Sequence, residues 1–148
     1  PLRRQRQMCI RDSSYPLAFT WATTSSEFQS SFDSDYFGTV AAGDDVPYLP
    51  DSQLALVAGF VTDAGMSGDV RLVKYGSTCS SAQCGAFENI ESYTFVDLSL
   101  RQKVNDNVSV YTVIENLSDG EDIVSRAPKN GARSQKPRSF KVGFTYNF

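Results

Sequence analysis

The 148-residue sequence has no histidine, so it lacks the commonest general base and the commonest metal ligand. Without it, neither serine nor cysteine has its usual activator as a nucleophile, and no Gly-rich phosphate loop is present. Carboxylates are plentiful but fall in loop-like stretches without a spacing that suggests shared protons. The sequence therefore points to no enzyme, and it implies neither a cofactor nor a metal centre. A run of about 18 apolar residues is also missing, which excludes a transmembrane helix. It does not exclude a membrane, because a spanning strand needs only about 9–11 residues and alternation dilutes its hydropathy. A formal charge of −3 gives no reason to expect a nucleic-acid partner.

The first dozen residues fit nothing that follows. Arg3-Arg4-Gln5-Arg6-Gln7-Met8-Cys9-Ile10-Arg11-Asp12 is a basic, patternless run. It resembles one reading frame of the transposase adapter used to tag DNA for sequencing, in which the next codon encodes Ser or Arg; here Ser13 follows. The expectation is that residues 1–13 are not native and that the polypeptide continues upstream of about Ser14. Sequencing the source locus again tests this; the same codons in intact genomic DNA would sink it. With Cys9 set aside, Cys79 and Cys84 remain as an even pair in one loop. They suit a disulfide in an oxidising compartment better than two free thiols, and two cysteines without histidine cannot complete a zinc site.

What is present is alternation. From Ser139 to the end, the even positions Phe140, Val142, Phe144, Tyr146 and Phe148 are large and apolar, while the odd ones are small or polar. Val108, Val110, Thr112 and Ile114 share one face of a second strand, about Val108 to Asn116. A third, about Tyr93 to Val104, sets Thr94, Val96, Leu98 and Leu100 against Phe95, Asp97, Ser99 and Arg101. Leu54, Leu56, Ala58 and Phe60 mark a fourth, about Asp69 to Tyr75 a fifth, and Leu17, Phe19 and Trp21 open a sixth that runs to about Phe32. The connections alternate in kind. Asp63-Ala64-Gly65-Met66-Ser67-Gly68 and Asn105-Asp106-Asn107 are short turns. Stretches of about Asp33 to Pro50, Gly76 to Glu91 and Leu117 to Pro137 are long and polar, and loops above about 12–15 residues are uncommon in compact soluble domains.

This pattern predicts an all-β fold, a fragment of an antiparallel transmembrane β-barrel with about six meandering strands. Short turns and the C-terminus would face the periplasm, long loops the exterior, and the lipid bilayer would wet the apolar face. Trp21, Phe19 and Tyr15 could form an aromatic girdle, or simply be buried between strands. Asp97, Arg101, Glu115 and Lys141 would face the lumen. The loop aspartates Asp33, Asp35, Asp44, Asp45 and Asp51 lack calcium-loop spacing and read as solvated. Two alternatives stay open: a small self-contained barrel of adhesin-like or structural kind, and a soluble secreted β-sandwich whose apolar faces pack on each other.

Several segments in order carry a family resemblance. They are Glu27-Phe28-Gln29-Ser30-Ser31-Phe32, Val46-Pro47-Tyr48-Leu49-Pro50, Gln53-Leu54 and Tyr93-Thr94-Phe95-Val96-Asp97-Leu98-Ser99. Then come Glu115-Asn116-Leu117-Ser118-Asp119, Gly131-Ala132-Arg133, Pro137-Arg138-Ser139-Phe140 and the aromatic terminus. From about Tyr15 to Phe148 the chain resembles the C-terminal quarter to fifth of TonB-dependent outer-membrane receptors, nearest the ferric-dicitrate transporter type. Ser118 stands where that family usually has an aromatic, and Glu121-Asp122-Ile123 where it often has a tyrosine. The resemblance implies an outer-membrane location in a diderm bacterium and a whole barrel of about 22 strands closed by a plug domain. It further implies a ferric chelate as substrate and the TonB system as energy source. The terminal Phe140, Val142, Phe144, Tyr146 and Phe148 resemble the signal read by the outer-membrane barrel assembly machinery. Ligand contact would fall to outer-loop cations, with Arg126, Lys129, Arg133 and Lys136 as candidates, although Arg133 looks equally like a structural loop position and the bland reading is solvated charge.

Overall fold

A computed structural model describes residues 14–127 and 131–148. The adapter-like run with Cys9 lies outside the described residues, as does Lys129. Six long strands make one antiparallel sheet, each paired with the next in chain order. They are β1 (Leu17–Thr23), β2 (Ser52–Val61), β3 (Met66–Tyr75), β4 (Tyr93–Lys103), β5 (Val108–Glu115) and β6 (Ser139–Tyr146). The sheet is open among the described residues, with one edge of β1 and one of β6 unpaired.

Register carries the sequence alternation across the sheet. Directly opposed residues of antiparallel strands share a face. Leu17 opposes Ala58, which opposes Val70, then Leu98, Ile114 and Phe140 in turn. One row on, Phe19, Leu56, Leu72 and Val96 align, and beyond them Trp21, Leu54, Lys74 and Thr94. One face is thus mainly apolar from edge to edge, with Lys74 and Thr94 towards its loop end. It is also bare: Phe140 is 66% exposed, Val142 and Phe144 each 74%, and Phe19 65%. Among the described residues no second layer covers it, so the packed faces of a β-sandwich are not formed there. The opposite face carries Asp69, Arg71, Asp97, Arg101, Glu115 and Lys141.

The two ends of the sheet differ. At one, residues 62–65 and 104–107 close tight turns. Gly65 takes φ +76°, and its N–H donates to the Thr62 carbonyl at 3.1 Å, a conformation that favours glycine. In the second turn the Asn105 side-chain oxygen accepts from the amides of Asn107 and Val108, each at 2.9 Å. At the other end three long loops emerge: L1 (24–51), L2 (76–92) and L3 (116–138). Each folds a short hairpin of its own, Phe32–Ser34 with Gly38–Val40, Thr78–Cys79 with Asn89–Ile90, and Ile123–Ser125 with Arg133–Ser134.

Three boundaries depart from the sequence reading. β1 stops at Thr23 and does not reach Phe32, because its partner β2 begins at Ser52, opposite Thr23. Beyond that the first part of L1 runs back along its last part through scattered bonds, Thr24 to Asp51 and Phe28 to Asp44 among them, outside the sheet. β3 starts at Met66, not about Asp69, since the turn already closes at Gly65 and Ser67 and Gly68 pair with Val61 and Phe60. β6 ends at Tyr146; Asn147 adds a bond to the Asn107 carbonyl, and the Phe148 ring packs edge-on against Tyr146 at 5.1 Å.

Candidate functional site

The chemistry gathers at the loop end. In L1, the Ser34 hydroxyl accepts from the amides of Tyr36 and Phe37, and Gly38 at φ +78° turns the chain back. This puts two aromatics at the hairpin tip, with Phe28 packed edge-on against Phe32 behind them at 5.4 Å. Tyr48, held at φ +61°, donates its amide to the Cys79 carbonyl at 2.8 Å and so ties L1 to L2. A second tie runs from the Gln83 side-chain amide to the Thr39 carbonyl at 3.0 Å. Cys79 and Cys84 are joined by a disulfide, closing a small ring within L2.

L3 is seated by buried polar side chains. Asn116, 2% exposed, donates from its side-chain amide to the carbonyls of Gly120 and Lys136 and accepts from the Gly120 amide. Its backbone N–H donates to an Asp97 carboxylate oxygen at 3.0 Å. Asn116 and Asp119 both adopt positive φ, which asparagine and aspartate tolerate better than most residues. Gln135, 3% exposed, donates to the Thr94 carbonyl and to Asp122. The Asn-Leu-Ser-Asp segment, read in the sequence as a family motif, is thus the bracket that fastens L3 to the strand ends.

Seated in this way, L3 places the Arg126 guanidinium 4.4 Å over the Phe87 ring of L2, a cation–π stack between loops. Around that stack lies a cleft of about 600 Å³, lined by Tyr36, Tyr48, Phe87, Glu88, Arg126 and Asp35 among others. Its size and its mixture of aromatic wall and few polar groups fit a small-molecule site. The buried Nε of Arg126 has no hydrogen-bond partner. A smaller cavity of about 290 Å³ lies at the turn end, beside Arg101, Lys103 and Asn147.

Of the sequence candidates, Arg126 enters the cleft. Arg133 pairs with Ser125 in the L3 hairpin and does not line it. Lys136 bonds Glu115, which also takes Lys141 at 2.7 Å and the Ser139 hydroxyl at 2.8 Å. Lys129 lies outside the described residues. Two of the loop acids are engaged within their loop, Asp44 accepting from the Ala41 amide and Asp51 from the Ser52 hydroxyl. Among the described residues no group of three or more Cys, Asp or Glu side chains could hold a metal ion. Tyr36, Tyr48 and Phe87 were not singled out as ligand contacts from sequence. Aromatics standing alone in polar loops were the available sign.

The sheet with its loops superposes on solved receptors. It matches the ferric-catecholate import receptor Fiu of E. coli K12 with TM-score 0.69 and 21% identity, over 91% of this chain and 19% of that one. The siderophore receptor PiuA of Acinetobacter baumannii gives 0.75 and 18%, over 93% of this chain and 20% of that one. The outer-membrane ferripyoverdine receptor of Pseudomonas aeruginosa gives 0.67 and 15%, over 92% and 18%. The sheet is a piece of that barrel fold. It spans about a fifth of those receptors' length. No protein-family model and no curated protein matches the chain.

Proposed function

We propose that residues 14–148 form the C-terminal wall of an outer-membrane receptor that imports a ferric siderophore or a ferric-citrate-like chelate, energised through TonB. One observation carries this reading. A six-strand meander has one mainly apolar face with no layer over it among the described residues, bare at its two margins, with tight turns at one end and folded loops at the other. Within lipid only helices and closed barrels satisfy every backbone group, so the unpaired edges of β1 and β6 need further strands to complete a wall. In this reading the loops face the exterior and the turns the periplasm of a diderm bacterium, and a plug domain fills the lumen against the charged face. The alternating aromatics from Phe140 to Phe148 serve the barrel assembly machinery as well as the lipid contact. Residues 1–13 are not part of the native protein. The role is transport, without chemistry on the ligand.

The test is iron uptake. The complete reading frame, restored upstream of Ser14, is expressed in a strain without its own ferric-chelate receptors, with and without TonB. Radiolabelled iron should enter as a chelate only when TonB is present. Uptake that ignores TonB, or no uptake with any chelate despite a folded barrel in the outer membrane, would overturn the proposal.

A further inference from the structure

We infer that the cleft between the three loops receives an aromatic arm of low charge on the ferric chelate, and that it disfavours polyanionic chelates such as ferric citrate. This rests on the chelate-receptor reading above and sharpens its substrate. Three features of the cleft point the same way.

The first is the wall. Tyr36 is 86% exposed, Phe87 50% and Tyr48 39%, and all three border the same space from two different loops. Flat rings lining a space of about 600 Å³ are suited to stack on a planar group. The second is Arg126, the one cation among the described lining residues. Arg126 is already stacked on Phe87, and its buried Nε–H lacks an acceptor. That Nε–H can donate to one oxygen acceptor of the arm, a carbonyl or a metal-bound hydroxamate oxygen. The third is the charge around it. Among the described lining residues, Asp35 and Glu88 set two carboxylates against that one guanidinium. Among these residues a polyanion meets more like charge than opposite charge, whereas a neutral complex meets no such repulsion. The ties from Tyr48 and Gln83 hold L1 to L2, and the disulfide between Cys79 and Cys84 closes L2 on itself.

The experiment uses the complete receptor purified in detergent, with binding measured by calorimetry against three iron(III) probes. Ferric tris-benzohydroxamate is neutral and aromatic, ferric tris-acetohydroxamate neutral and aliphatic, and ferric dicitrate polyanionic; each is held in excess ligand, with the iron-free ligand as control. The benzohydroxamate complex should bind about tenfold tighter than either of the others. Phe87→Ala and Tyr36→Ala should erase its margin over acetohydroxamate. The isosteric Glu88→Gln, with Asp35→Asn, should strengthen dicitrate binding several-fold and move the neutral probes by less than about twofold. Heat-modifiable migration on gels confirms that each variant barrel is folded. Tighter binding of dicitrate than of benzohydroxamate, or a ranking that the four substitutions leave unchanged, would overturn the inference while leaving the receptor reading intact. Binding of none of the three probes, together with no TonB-dependent uptake, would overturn both.

Discussion

The strands and the loops of this chain hide apolar surface in opposite ways. On the strands, Leu17, Phe19, Val142 and Phe144 stand 65–74% exposed on one continuous face. In the loops, Val40 and Ile90 are 1% and 0% exposed, and Ala82 is 7% exposed. A soluble domain would show the reverse, with its strands covered and its loops thin. The difference teaches that the sheet takes its apolar environment from outside the described residues, while the loop layer supplies its own. The hydrophobic effect, non-directional and proportional to area, acts on both regions. What differs is which neighbour removes the water.

That contrast can be broken from either side. The largest effect should come from putting charge on the bare face. Val142→Arg, midway along β6, should cost the complete barrel about 2–4 kcal/mol of folding free energy in lipid. Thr145→Arg, on the opposite face of the same strand, should cost far less, and urea titrations in phospholipid vesicles measure both. Equal losses would deny that the faces differ.

Next in size are the loop fastenings. Asn116→Ala leaves the amide of Gly120 and the carbonyl of Lys136 without their partner, a loss of about 1–3 kcal/mol. Faster hydrogen exchange at the Gly120 amide, with protection in β2 and β3 unchanged, is the expected readout. Reducing the disulfide, or Cys84→Ser, should loosen L2 by about 2 kcal/mol on the chain-entropy estimate for so small a ring. Proteolysis should then nick L2 while the sheet stays protected.

A smaller effect tests packing within the sheet. Gly143 lies opposite Tyr111, and a Cβ there would fall on the phenol ring. Gly143→Ala should displace that exposed ring to another rotamer and cost about 1 kcal/mol; the chemical shifts of the Tyr111 ring should move while the β5–β6 pairing stays protected. Smallest of all is the turn charge. The hydrogen bond from Lys103 holds the Asp106 carboxyl below its ordinary value. A lowered folded-state pKa means that its contribution is complete above the unfolded value and disappears as pH falls through the folded one. An NMR titration of Asp106 should move up toward the ordinary aspartate value in Lys103→Gln.

Much of the fold was legible because period-two patterning survives into the sheet without distortion. Phe140, Val142 and Phe144 read as one face in the sequence and stand on one face in space. Turn chemistry at Gly65 and Asn105 was equally local. What escaped was non-local. The end of β1 is set by where β2 starts, a fact carried by Ser52 and not by residues 24–32. The cleft joins Phe87 to Arg126 across two loops, and neither residue's neighbours announce the other. Charge alone nominated Arg126 together with Arg133, Lys136 and Lys129; geometry separates the first from the next two, because Lys136 is spent on Glu115 and Arg133 on the L3 hairpin.

The most direct measurement is a nitroxide scan of β6, from position 140 to 145, in the complete receptor reconstituted into bilayers. Relaxation by oxygen, which dissolves in hydrocarbon, should peak at 140, 142 and 144 and fall at 141, 143 and 145. A flat profile, or one in which a water-soluble nickel chelate reaches the even positions best, would contradict the account.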